Sequence, residues 1–136
     1  MTLSAKVEAF LREPQICVLA TTGADGSPHA MPMWYLFQDG DILFAAGRKS
    51  QKVRNIERTG RATVVIDRRE TPYYAVMLPG AATIEDAMSE ADQYALFSRY
   101  LDEEEAQRYV ARSGVDNVAI RVTPERFVEF HGSAGT

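Results

Sequence analysis

Residues 28–46 constrain the fold more than any other stretch of this chain. Two runs of extended-favouring, mostly apolar residues, Pro28–Gln38 and Asp41–Ala46, meet at Asp39-Gly40. Asp-Gly between such runs predicts a tight primed hairpin turn, because Gly accepts the positive φ that the turn demands. On the first run Ala30, Pro32, Trp34 and Leu36 alternate with Met31, Met33, Tyr35 and Phe37, so both faces of the strand are apolar. A strand in a small sheet normally turns one face to water. Two apolar faces imply a barrel interior on one side and a cofactor, a partner subunit or a covering helix on the other. Pro32 has no N–H to donate, which suggests an edge or a bulge where a ligand can reach backbone groups.

The surrounding segments extend this pattern. Leu3, Val7, Phe10 and Leu11 fall at helical spacing over residues 3–12, and Pro14 ends that helix. Ile16–Thr22 reads as the first strand, and Gly23-Ala24-Asp25-Gly26-Ser27 as the turn into the second. Ser50 suits the N-cap of a helix to about Thr59 with Val53 and Ile56 facing inward, and Gly60 suits its stop. Arg61–Asp67 is a β-branched strand, and Tyr73–Glu85 a longer one bent or bulged at Pro79-Gly80. Ser89 with Asp92 resembles a capping box for a helix whose Tyr94, Phe97 and Leu101 share a face. A further helix opens at Asp102, carries Glu103, Glu104 and Glu105 in its first turn, and ends at Gly114. Val118–Val122 and Phe127–Phe130 read as a closing pair of strands. Seven short strands with inserted helices predict a mainly antiparallel α+β barrel occupying residues 1–136 as one domain. No dinucleotide-binding or phosphate-loop glycine motif is present, and strands do not alternate with helices, so a doubly wound parallel sheet is not expected.

Charge is distributed unevenly over this frame. Between Arg48 and Arg69 lie eight of the fifteen Lys and Arg residues (Arg48, Lys49, Lys52, Arg54, Arg58, Arg61, Arg68, Arg69) against two acids, Glu57 and Asp67. That segment carries +6 in a chain of net charge −4, so the remainder carries −10. The densest part, Arg48 to Asn55, runs from the third strand into the Ser50 helix. Unpaired N–H groups, the positive end of the helix dipole and flanking cations together suit an anion, and a phosphate best. The same charges also suit a solvated helix face.

Other function classes receive less support. The net charge of −4 and a pI near 5.2 argue against nucleic acid, which is usually met by an extended basic face. No apolar run approaches the roughly 20 residues of a membrane helix, and no secretory core follows the N-terminus, so a cytoplasmic location is expected. The single Cys17 sits in the apolar run Ile16 to Ala20 and reads as a buried small hydrophobe. The three consecutive glutamates are most simply helix-dipole chemistry, and no metal-spaced cluster or nucleophile triad is evident.

Three segments carry a family likeness: Trp34 to Phe44, Arg48 to Asn55, and Arg61-Ala62-Thr63-Val64-Val65-Ile66-Asp67. With the Leu19-Ala20-Thr21-Thr22 strand and the Asp25-Gly26-Ser27-Pro28 turn, they resemble the split β-barrel flavin and deazaflavin oxidoreductases of the pyridoxamine 5′-phosphate oxidase-like superfamily. Lys52-Val53-Arg54-Asn55 looks like that family's K-x-R-N phosphate element. The resemblance implies a homodimer with two cofactors at the subunit interface. Lys52 and Asn55 would contact the phosphate or its linker, with Arg48, Ser50 and Arg54 as supporting donors. Pro32, Met33 and Trp34 would line the ring, and Tyr73 and Tyr74 would complete the pocket from the partner subunit.

The compact length and the K-x-R-N element look most like the branch that uses coenzyme F420, an 8-hydroxy-5-deazaflavin, with FMN as the alternative. Pyridoxamine-phosphate oxidases proper are longer and carry C-terminal substrate-phosphate residues without a match in Arg126–Thr136. The implied activity is hydride transfer from the reduced cofactor to an unsaturated small molecule. Tyr35, Tyr73, Tyr74 or water would give the proton, and no catalytic side chain is singled out. A non-catalytic flavin- or deazaflavin-binding protein, or a haem-binding one using His29 or His131, is the competing expectation.

Overall fold

The computed structural model describes residues 2–113 and 116–132. In chain order these form α1 (Ala5–Leu11), β1 (Cys17–Thr22), β2 (Pro28–Met33), β3 (Leu36–Gln38), β4 (Asp41–Gly47), α2 (Gln51–Thr59) and β5 (Arg61–Arg68). Then follow β6 (Tyr74–Asp86), α3 (Glu90–Phe97), α4 (Glu103–Ala111), β7 (Asn117–Pro124) and β8 (Val128–His131). All strand pairings are antiparallel, in the order β2-β1-β5-β6-β7-β4-β3, with β8 added along β6.

The two ends of that order, β2 and β3, are joined by only Trp34 and Tyr35. Three virtual bonds of 3.8 Å keep the Cα atoms of Met33 and Leu36 within about 11 Å of each other. Opposite borders of the sheet are therefore held side by side, and the sheet must curl. Because β2 and β3 do not pair, the result is a split antiparallel β-barrel with flanking helices, an α+β fold.

This crossing corrects the expectation of one strand over Pro28–Gln38. The backbone leaves the sheet at Trp34 and re-enters at Leu36, giving eight strands among the described residues where seven were expected. Tyr35 pins the crossing from inside the core: its hydroxyl donates to the carbonyls of Leu11 (2.9 Å) and Glu13 (3.0 Å). Arg99 donates to the same two carbonyls and lies over the Tyr35 ring, and Trp34 stacks on Tyr100 at 4.9 Å between centroids. The hairpin forms where Asp39-Gly40 places it, with φ of 53° and 83° at the two central residues, as a primed turn requires.

Residues of alternating orientation fill two cores. Ile42, Phe44 and Ala46 of β4 join the main cluster with Leu19, Val64, Ile66, Val76, Leu78, Ile120 and Val122. Leu43, on the other face of β4, packs with Leu36 and Leu96 beneath α3, with Trp34, Met88 and Phe97 around them. α2 turns Val53 and Ile56 into the main core and ends at Gly60 in the left-handed region (φ 67°), whose N–H donates to the Ile56 carbonyl.

β6 is the spine of the barrel. Its register with β5 continues unbroken through Thr63↔Pro79 and Ala62↔Gly80, so no bulge interrupts that edge. What changes at Pro79-Gly80 is the partner on the other edge, β8 before it and β7 after it. Thus β7 and β8 do not form the expected closing pair; each pairs with β6. A Cβ on Gly80 would overlap the Thr123 carbonyl, so the close approach of β7 requires glycine there. The Ser89 hydroxyl accepts from the Asp92 N–H as expected, but α3 buries Gln93 and Leu96 in place of the face of Tyr94, Phe97 and Leu101. The expected α4 stop at Gly114 lies outside the described residues.

Candidate functional site

The eight cations of the basic segment divide into two groups. Arg61 pairs with Glu125 through two contacts of 2.8 and 2.9 Å, Arg68 pairs with Glu13, and Arg69 pairs with Asp67. Arg58 donates to the Thr22 carbonyl and to Asn55. Arg48, Lys49, Lys52 and Arg54 form no ion pair among the described residues. Of the segment's five cations without an ion pair among the described residues, Arg58 is held by those two neutral acceptors, and the other four flank the entrance of α2.

That entrance is also uncapped. Ser50 holds the extended N-cap conformation, yet its hydroxyl donates to the Gly47 carbonyl (2.8 Å) and caps no helix N–H. The first-turn N–H groups are thus left for water or an anion. The Gly47–Ser50 turn is held by Ser50 N–H to Gly47 (3.1 Å) and by Arg48 N–H to the Asp116 carbonyl (2.7 Å). Arg48, Lys49 and Arg54 are exposed and Lys52 is half-buried.

Asn55 shares the helix but not the surface. It is 0% exposed; its amide donates to Thr21 Oγ1 (3.0 Å), and its Oδ1 accepts from Gln51 (2.7 Å) and Arg58 (3.4 Å). Its side chain ties α2 to β1.

Pro32, Met33 and Trp34 meet at an apolar cavity of about 330 Å³, completed by Ile16, Ala45, Leu96 and Phe97. These last four were not foreseen; their only sequence signal is apolar character, shared by most core positions. Among the described residues β2 pairs only with β1, and nothing among them pairs with its outer edge, near which Met31 is 42% and Ile16 49% exposed. Ala45 connects cavity and helix entrance, since five residues along β4 and the turn lead from it to Ser50, about 17 Å at full extension.

Tyr73 and Tyr74 lie elsewhere in the same chain, at a cavity of about 370 Å³ shared with Lys6, Phe10, Arg68 and His131. The Tyr74 hydroxyl donates to Glu129 (2.6 Å), and burial followed by that carboxylate drives its pKa upward. Burial likewise pushes the Cys17 thiol up to about 12, which fits an inert core residue. No cluster of metal-ligating side chains exists among the described residues, and no helix is long and apolar enough to cross a membrane.

Comparison with known proteins now bears on this geometry. Residues 3–131 match the family model described as pyridoxamine 5′-phosphate oxidase. A conserved hypothetical protein from Mycobacterium tuberculosis superposes with a TM-score of 0.81 at 27% identity, covering 96% of this chain and 86% of that one. An F420 reductase gives 0.73 at 28% identity, covering 89% and 94%. A haem storage protein from Vibrio cholerae gives 0.70 at 18% identity over 96% and 95%, a likeness of fold alone. No curated protein matches the chain.

Proposed function

The chain belongs to the pyridoxamine 5′-phosphate oxidase family, and on that premise we propose that it is an F420-dependent oxidoreductase reducing an unsaturated small molecule. The observation that carries this reading is the uncapped entrance of α2 with its four unneutralised cations, one short strand-end away from an apolar cavity. A ring fits the cavity, and an anionic tail fits the entrance.

Four cations exceed the charge of about −1.5 to −2 that one phosphate monoester carries. The surplus favours a tail with further acidic groups, as the deazaflavin coenzyme has, over FMN. The structural likeness to an F420 reductase points the same way. FMN is the second reading, because the uncapped helix would hold its phosphate equally well. A haem ligand is supported less, since neither His29 nor His131 lines the apolar cavity.

In this reading Lys52 and the first-turn N–H groups of α2 hold the phosphate, and Arg48 and Arg54 add charge. Asn55 contributes by fixing α2 on β1. Pro32, Met33 and Trp34 shield the ring from water, and a second copy of the chain covers the open edge of β2, placing the cofactor at a homodimer interface. When bound and reduced, such a cofactor would supply a hydride to one carbon of an acceptor's double bond, and the other carbon would take a proton. Within one chain, Tyr35 is buried and donates to two carbonyls, and Tyr73 and Tyr74 line the other cavity, so the proton would come from water or from Tyr73 or Tyr74 of the second copy.

Titration of the purified protein with F420 and with FMN tests the assignment. Lys52→Ala is expected to weaken binding of the preferred cofactor by about 1.5–3 kcal/mol, the range for hydrogen bonds to charged groups, with the urea midpoint unchanged. Unchanged affinity for both cofactors would refute the site. Stopped-flow reoxidation with enones, quinones and tetrapyrroles tests turnover, and no acceleration over free cofactor by any acceptor would favour a carrier over an enzyme.

A further inference from the structure

The apolar cavity does not end at Ala45. A second compartment of about 450 Å³ shares Ala45 and Phe97 with it and continues along the outer face of β4. Its floor is Ala45 and Gly47, side chains too small to fill the space, and a Cβ built on Gly47 meets nothing within 4 Å. One wall is aromatic: Phe97 and Tyr109, with ring centroids 5.3 Å apart, continue the Trp34–Tyr100 stack. The far end is polar, with Arg112 and Asn117.

Arg112 brings an exposed positive charge to that end. Its guanidinium lies 5.2 Å from the Tyr109 ring centroid, and its Nε donates to the Arg108 carbonyl at 3.4 Å. It forms no ion pair among the described residues; the nearby α4 cation Arg108 is paired with Glu104. Asp116, next to Asn117, is exposed and does not pair with it. A flat, side-chain-poor floor, an aromatic wall and one unneutralised guanidinium form a slot shaped for a planar molecule with a single acidic edge.

We infer that this compartment is the acceptor subsite and that Arg112 selects planar unsaturated acceptors bearing a carboxylate. The inference rests on the reading of the adjoining cavity as the cofactor ring site, because the shared Ala45–Phe97 boundary is what sets donor and acceptor side by side.

Calorimetric titration with cinnamate and with its neutral counterpart cinnamamide tests it, using the protein both free of and loaded with its cofactor. Cinnamate is expected to bind about tenfold more tightly than cinnamamide, the scale of one charge-assisted hydrogen bond. Arg112→Gln should erase that preference while leaving cinnamamide binding and cofactor affinity unchanged, and Arg112→Lys should restore part of it. Gly47→Leu should fill the slot and abolish binding of both probes. Equal affinity for the two probes, or an Arg112→Gln protein that keeps the preference, would overturn the inference. So would an Arg112→Gln protein that loses cofactor affinity, since the compartment would then belong to the cofactor. Failure of F420 and FMN to bind at all would instead defeat the proposed function, and the cofactor-free titration would still report on the slot.

Discussion

Replacing Asn55 by Ala separates a fold-holding role from a ligand-holding one. The amide makes three side-chain hydrogen bonds in the absence of any ligand, to Thr21 (3.0 Å), Gln51 (2.7 Å) and Arg58 (3.4 Å). Gln51 and Arg58 are exposed and regain water when Asn55 is truncated, so their loss costs little. Thr21 is 5% exposed and cannot. Its stranded hydroxyl costs about 1–3 kcal/mol and the lost net hydrogen bonding about 1 kcal/mol more, offset by about 0.6 kcal/mol from the better helix propensity of Ala. The expected destabilisation is about 1.5–3.5 kcal/mol, a fall of about 1–2 M in the urea midpoint at unchanged slope, measured without cofactor. If Thr21 is the main term, adding Thr21→Val should recover at least about 1 kcal/mol, because both members of the pair are then apolar. A loss below about 0.5 kcal/mol, or no recovery in the double variant, would refute this account of the helix anchor.

Further expectations concern the barrel itself. Gly80→Ala should destabilise by about 3 kcal/mol, because the new methyl meets Thr123 backbone, which cannot rotate away as a side chain would; a change below about 1 kcal/mol in denaturant unfolding would contradict the close approach. Alkaline pH should weaken the fold. Burial raises Cys17 from an ordinary value of 9.0 to about 12, and raises Tyr35 and Tyr74 above their ordinary 10.0. Above about 9 the unfolded chain therefore releases protons that the folded chain retains, so stability is full below that pH and falls as pH rises, by at most about 1.4 kcal/mol per pH unit for each such group. A urea midpoint that stays flat from neutrality to pH 11 would contradict it.

Local chemistry made some of this legible in the sequence and tertiary chemistry hid the rest. Asp39-Gly40, the Ser89 cap and the Gly60 stop depend on neighbours within four residues, and each appears where the residue types place it. The break at Trp34-Tyr35 was hidden because an alternating apolar pattern continues straight across it, and period-2 reading has no signal for a strand that changes partners. Concentrated basic charge at α2 was visible, but not which charges are free: Arg61 finds Glu125 at a separation of 64 residues, and Arg68 finds Glu13 at 55. Asn55 among cations invites a ligand role, and its bond to the Thr21 hydroxyl, 34 residues away, adds an anchoring role that the sequence does not display. Ala45 and Gly47 are ordinary strand residues until Phe97 and Tyr109 arrive opposite them and turn missing side chains into space.

The two-residue passage from β2 to β3 stores the curvature of the whole sheet in covalent connectivity. A nick between Trp34 and Tyr35 would leave every rung of the ladders intact, yet the two borders, along which the apolar cavity lies, would then rely on side-chain contacts such as those Tyr100 makes to both residues. Shape and ligand space in this protein therefore share a single seam.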